Sequence, residues 1–440
     1  MGPQDAKLEN LRKVILLRRP HMHYARTALK LREQIIKFSG ELSAGLPKVG
    51  RRFIEEAIYG IQARRCVHLT EIARALGEKT PLRKTEYRLS RQLGRRDIWS
   101  KIVDSVAQMA AKYIKEDTLL VIDPSDIRKK YAEKMEHLAR VRDGSEGEIA
   151  NGYWTCNVIG TEIGKASIIP LYSRLYSQAG PDFQSENTEI RKAVDKVSNY
   201  TQGRGIWVMD RGGDRRYIIH YFLSEKLRFI IRSTGERHMI YRGKKISIMD
   251  IARTCPLPYA ERIVKEDKGK ERLYYLEFGY RPVKLPERKE KLYLVVIRGF
   301  GQKPMMLLTN IKLNRSRKSL WKVVESYMSR WKIEETIRFI KQSYQVEDIR
   351  LLTYKRLQNM MALVLAVAYF AMVYLGIRTK LKLLAGHALK AAQRVFGVAD
   401  FRFYAIADGI REFFFSQRKG SQSLKSMLKT QSLQPSLFDT

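Results

Sequence analysis

The sequence predicts an α/β fold flanked by helical regions, on three observations. Two short apolar runs, TLLVID (118–123) and GIWVMD (205–210), each end in an acid, as buried strands do at the carboxyl edge of a sheet. Helical periodicity without strand alternation fills residues 1 to about 110 and returns after about 319. Between these stretches, helical and strand-like segments alternate, the order of an α/β layer structure.

Taken in order, HLTEIARALG and EKTPLRKTEYRLSRQL (68–93) resemble a helix–turn–helix. Gly77 ends its first helix and Pro81 opens its second, so Arg83, Lys84, Arg88 and Arg91 are expected to face phosphates or base edges. After the strand TLLVID, DIRKKYAEKMEHLARV (126–141) reads as a helix with Asp126 as N-cap, and GSEGEIANG as a loop. YWTCNVIGTEI and KASIIPLYSRLYS read as paired strands, followed by a helix over 185–200 capped by Ser185 or Asn187. GIWVMD is a strand, RRYIIHYFLSEKL a helix capped by Asp214, and RFIIRS a strand; Gly212 and Gly213 permit a tight turn between the first two. Three strands, helix, strand, helix, strand is the order of an RNase H-like core.

Residues 234–318 interrupt this order with RLYYLEFGYRPVKL, KLYLVVIRGF and MMLLTNI, a β-rich insertion. Helices are expected at 327–341, 360–377, 382–395 and 401–416, and a disordered Ser/Gln/Lys-rich tail from 417. The expected layout is therefore a helical DNA-binding domain at 1–112, core at 113–233, insertion at 234–318, the rest of the core at 319–350, a helical region at 351–416 and the tail at 417–440.

Composition bounds the partner. Lysine and arginine number 83 against 46 acids, a formal charge of +37, so a polyanion is expected: nucleic acid first, an anionic membrane second. With 44% hydrophobic and 10% aromatic residues, the chain has the means to bury a core. Cys66, Cys156 and Cys255 lack zinc-site spacing, and the seven histidines show none either, which suits a reducing compartment. The opening MGPQDAKLEN has no apolar signal core. The uncharged run Met360–Ile377 is as long as a membrane span, but its alanines and flanking arginines suit a buried core helix.

The chemistry gathers on acids. Asp123 and Asp210 end two strands expected to be neighbours, and Glu334 would reach the same sheet edge from the 327–341 helix. Three hard-oxygen carboxylates suit two Mg²⁺ or Mn²⁺ ions and in-line attack on a phosphodiester. In that helix Tyr327, Arg330, Glu334, Arg338 and Lys341 share one stripe, and Ile333, Ile337, Ile340 and Tyr344 share an apolar one. The plainer reading of the first stripe is Arg330–Glu334 and Glu334–Arg338 pairs on a solvated face, worth about 0.2–0.5 kcal/mol each.

The spacing Tyr327-x2-Arg330-x3-Glu334-x6-Lys341 is similar to the Y-R-E-K signature of bacterial cut-and-paste insertion-sequence transposases, the IS-four group of the DDE superfamily. MDRGGDRR, with Asp210 and Arg211, resembles that group's second-acid motif, and VIDPSD sits where its first acid belongs. The resemblance implies that Asp123, Asp210 and Glu334 are the catalytic metal ligands. It implies too that Tyr327, Arg330 and Lys341 hold transposon-end phosphates during hairpin formation. Trp331 matches the family's aromatic or else packs in the core; Arg211 and Arg338 join the expected DNA contacts. The family's base-flipping tryptophan has no counterpart within 234–318. A homodimer pairing two DNA ends in the bacterial cytoplasm, on nucleoid DNA, is implied, with a metal-dependent nuclease or a catalytically lost DNA-binding regulator as rivals. Finally, Gln434, Leu437 and Phe438 resemble a peptide that docks on the replication sliding clamp.

Overall fold

The computed structural model describes residues 24–95, 98–142, 147–267, 270–377, 386–387 and 402–415. Among the described residues five helices come first: α1 (Tyr24–Leu42), α2 (Lys48–Arg64), α3 (Leu69–Leu76), α4 (Leu82–Leu93) and α5 (Ile98–Ala111). Gly77 ends α3 in the left-handed region at φ 57°, where a residue with no Cβ is unstrained, and Pro81 stands at the N-cap of α4. α2 and α3 approach closely at Gly60, where a Cβ would lie 2.5 Å from Cγ2 of Ile72.

A mixed ten-stranded sheet follows. Within it lies β1 (Leu119–Arg128), with β2 (Ala139–Arg142) and β4 (Ile168–Tyr176) both paired to β3 (Ile149–Thr161), which is antiparallel to β1. On the other side of β1 lie β5 (Ile206–Met209) and β6 (Phe229–Arg232), both parallel. Residues 119–122 and all of β5 are buried, the continuous apolar signature of parallel strands covered on both faces. The connections are α6 (Glu186–Thr201), with Ser185 as N-cap accepting from the Thr188 amide, and α7 (Arg216–Ser224).

The strand β1 corrects the expected helix over 126–141. Asp126, Ile127 and Arg128 pair with Trp154, Tyr153 and Gly152 of β3, and residues 129–138 are turns and irregular chain. Local helix propensity lost to a ladder whose partner lies about 25 residues away, and Ile127 is buried by it.

Residues 234–318, read from the sequence as a β-rich insertion, extend the sheet of the core. A hairpin of β7 (His238–Tyr241) and β8 (Lys244–Ser247) and the short α8 (Ile248–Arg253) come first. Then β9 (Tyr259–Asp267), β10 (Lys270–Val283), β11 (Leu292–Arg298) and β12 (Met305–Thr309) continue the main sheet, with β12 antiparallel to β6. This pairs what would otherwise be the open edge of β6, a row of unmet backbone donors and acceptors.

A second correction concerns residues 327–341, which are not one helix. α9 (Arg317–Met328) ends before α10 (Trp331–Ser343) begins. Between them the bonds run to the third residue back, Arg330 N to Tyr327 O and Ile333 N to Arg330 O, both at 3.0 Å. The hydroxyls of Ser326 and Ser329 donate to carbonyls four residues earlier (2.6 and 2.9 Å), a habit that bends helices.

α11 (Tyr354–Tyr369) continues through a π turn at Phe370–Tyr374. Its span to Tyr374 is long and apolar enough to cross a membrane, with mean hydropathy 1.7, but 94% of that window is buried inside the protein. Asn359, fully buried, accepts from Trp99 N (2.9 Å) and donates to the carbonyls of Leu93 and Arg95 (2.7 Å each), tying α11 to the N-terminal helices. α12 (Phe403–Phe415) packs on α2, with Phe414 4.9 Å from the Tyr59 ring. The helix expected at 382–395 falls largely, and the tail wholly, outside the described residues, as do Gln434, Leu437 and Phe438.

Candidate active site

Strand register brings the first two acids together. β1 and β5 are parallel with Val121 opposite Val208, so two residues further on Asp123 comes level with Asp210. Adjacent strands lie about 4.8 Å apart, which makes these carboxylates neighbours. β5 stops at Met209, and Asp210 caps the turn Arg211–Gly213 through Oδ1, which accepts from the Gly212 amide at 2.7 Å. Gly213 is packed so closely that a Cβ would lie 2.6 Å from that of Met209.

The third acid arrives from the first turn of α10. Glu334 and Asp210 both push the Asp123 carboxyl upward, and with burial, the largest cause, they raise it to about 7; Arg330 pulls the other way. Glu334 itself is half exposed and accepts from Arg330 Nη2 at 2.5 Å. Arg338 does not share it but pairs with Glu335. Arg330 lies 5.9 Å from the ring of Tyr327, which is buried beneath it.

Among the described residues no three His, Cys, Asp or Glu side chains form a group that could hold a metal ion as they stand. The donor set nevertheless suits a divalent cation. Burial and the neighbouring charges of Asp210 and Glu334 raise the proton affinity of Asp123, and a +2 charge placed among the three would relieve that repulsion.

Three lysines seat α10. Lys341 donates to Asp126 (3.3 Å) and pairs with Glu347 (3.1 Å). From Glu334 to Lys341 is about 10 Å of helix, and from Asp123 to Asp126 about 10 Å of strand. Helix and strand therefore run alongside each other in step. Lys129, buried and pushed down to about 8 chiefly by that burial, donates to the carbonyls of Glu347 and Ile349 beyond the helix end. Lys332, also buried, donates to Thr161 Oγ1 (3.0 Å) and to the carbonyls of Glu162 (2.9 Å) and Lys165 (2.6 Å) in the β3–β4 turn. Sequence reasoning missed Lys332. The signal was its stripe with Thr336, Phe339 and Ser343, which is the buried face, while Ile337 and Ile340 are only partly covered.

Lys332→Met is expected to lower the free energy of unfolding by about 1–3 kcal/mol, since buried carbonyls lose their donor. Hydrogen exchange across 329–337 should accelerate with it. Unchanged exchange there would show that the packing of Ile333 alone seats the helix.

Other expected residues are placed differently. Asp126 and Asp214 are not helix N-caps: Asp126 lies in β1, and the residue before α7 is Arg215. The Asp214 side chain, 1% exposed, accepts from Ser233 Oγ and Thr234 N (2.8 Å each) and pairs with Arg237 at 2.9 Å. It thereby ties the second-acid turn to the chain after β6. Trp331 is 47% exposed rather than packed in the core, and Arg211 is exposed. On α4, Arg88 is held by Glu56 (2.6 Å) and Glu78 (3.0 Å). Arg83, Lys84 and Arg91 are exposed on one face, with Tyr87, 70% exposed and not singled out from the sequence, between them.

Residues 185–370 match the family model of the transposase DDE domain, a span that contains Asp210 and Glu334 but begins after Asp123. Among solved structures, the chain is similar to a cryo-EM structure of the piggyBac transposase synaptic complex with hairpin DNA, at 11% identity and a TM-score of 0.46, over 93% of this chain and 85% of that one. A comparison with curated proteins finds no match.

Proposed function

We propose, from the premise that residues 185–370 carry a transposase DDE domain, that this protein cuts DNA at transposon ends and joins them to target DNA. The observation that carries the reading is the register that sets Asp123 level with Asp210, with Glu334 acting on the same carboxyl. The strand order β4-β3-β1-β5-β6, in which β3 alone runs against the other four, supports an RNase H-like core. The Y-R-E-K spacing supports the IS-four group and, with it, a hairpin intermediate and a homodimer on DNA.

Asp123, Asp210 and Glu334 would hold Mg²⁺ or Mn²⁺. Divalent ions bound there supply an activated water or 3′-hydroxyl and neutralise the leaving oxygen. The chain's own residues prepare that site. Arg330 keeps Glu334 neutralised until a DNA phosphate competes for the guanidinium, which forks onto phosphate as well as onto carboxylate. Lys341 holds the helix to β1 and presents a cation beside the same strand.

A duplex bearing the element's end, incubated with the protein and Mg²⁺ or Mn²⁺, tests this. Nicked, hairpin and target-joined products are expected, and none with chelator. Cleavage without joining would make the protein a nuclease, and binding without cleavage a regulator. Arg330→Ala and Lys341→Ala should slow hairpin formation about tenfold more than the first nick, because phosphate contacts there act on positioning. Equal losses at every step would make both residues structural.

A further inference from the structure

A cleft of about 780 Å³ lies past the far end of α10, between Arg128–Met135 and Glu347–Leu352. It begins where the row of contacts alongside the acids ends: Lys341 reaches from Asp126 to Glu347, and Glu347 lines the cleft. Its most unusual feature is Tyr131, 89% exposed, with the Lys130 ammonium 5.9 Å from its ring. Leu352, 62% exposed, lines the same cleft. An aromatic ring held in water on a loop with an exposed leucine across from it, beside a site rather than in a core, marks a surface that stacks on something flat.

Charge narrows the class. Glu347 is engaged by Lys341, and Lys129 by backbone carbonyls. Lys130, Lys134 and Arg350 are exposed around the ring, against Glu133 and Asp348. Cations set around a bare aromatic are how proteins bind single-stranded nucleic acid: the cations follow the phosphates and the ring stacks a base. The volume is that of a site for a small ligand, a nucleotide rather than a duplex.

We propose that this cleft binds an unpaired nucleotide of DNA, its base stacked on Tyr131 and its phosphates held by Lys130, Lys134 and Arg350. The inference rests on the DNA-handling reading above. It adds a place for the strand a few nucleotides from the acids, on a loop that the sequence presents as a helix.

The test uses the full chain with chelator present, a fluorescein-labelled thymidine decamer and a blunt duplex, read by anisotropy. Tyr131→Ala should weaken decamer binding about tenfold, the loss of one base–aromatic stack. Its duplex affinity should change less than twofold, and Tyr131→Phe, which keeps a ring, should bind the decamer as the wild type does. Iodouracil placed in the decamer should photocrosslink to the peptide containing Tyr131. Equal decamer binding by wild type and Tyr131→Ala overturns the proposal, as does an equal loss on duplex, which would make the ring a general contact. No cleavage occurs under these conditions, so the two readings fail separately. An inactive protein with a Tyr131-dependent decamer site keeps the cleft, and an active one without it keeps only the transposase.

Discussion

Asp123→Asn is expected to abolish DNA cleavage, by about 10³-fold or more, and at the same time to stabilise the protein at neutral and alkaline pH. Both effects come from one arrangement. Burial, Asp210 and Glu334 raise the Asp123 carboxyl from an ordinary value of 3.8 to about 7. An acid whose value rises on folding binds more protons in the folded state between those limits. Stability therefore falls as pH climbs from about 4 to about 7, and the full penalty is present above 7. Asparagine carries no charge and escapes it. The expected gain at pH 8 is about 1–2 kcal/mol, discounted for the partial exposure of the site, and it should vanish near pH 4, where both side chains are neutral. Mg²⁺ should raise the wild-type melting temperature and leave that of the variant nearly unchanged. Thermal melts at pH 4 and pH 8, with and without Mg²⁺, measure all of this. A variant less stable than wild type at pH 8 would mean that Asp123 is held by favourable contacts, and the case for a strained metal site would fail.

The largest loss of stability is expected from Asp214→Ala. Its carboxylate, 1% exposed, takes hydrogen bonds from Ser233, Thr234 and Arg237 and joins the turn after Asp210 to the chain beyond β6. Removing it strands the largely buried guanidinium of Arg237 without its partner, which costs about 3–5 kcal/mol in comparable buried pairs. Urea unfolding would read the change directly. Asp214→Ala, Arg237→Met should recover part of the loss, because the orphaned charge goes with its partner. A loss below about 1 kcal/mol would show that the turn is held by the packing of Gly213 against Met209 instead.

Asp214 also shows where sequence reading stops. Its position before a helical run reads as an N-cap, yet its partners lie 19 to 23 residues further on, and only the parallel pairing of β5 with β6 brings them there. Arg88 is a similar case. Its place on a basic helix suggests a phosphate contact, but packing of α4 turns it to Glu56, 32 residues away, and to Glu78. Lys332 sits next to the isoleucine stripe and looks solvated, until the β3–β4 turn supplies three acceptors for its ammonium.

What the sequence by itself determined is what a few neighbouring residues decide. Gly77 and Pro81 end and open helices, a cap stands at Ser185 or Asn187 before α6, and the apolar runs before Asp123 and Asp210 become strands, because capping and periodicity act within one or two turns. The excess of 37 positive charges likewise needs no structure to call for a polyanion. Only the tertiary structure decided that β1 runs on to Arg128, that β12 extends the core sheet at β6, and that Arg330 takes Glu334 while Arg338 takes Glu335. A strand's partner and a buried ion's counterion are chosen by distant segments, and their free energy appears only when those segments meet.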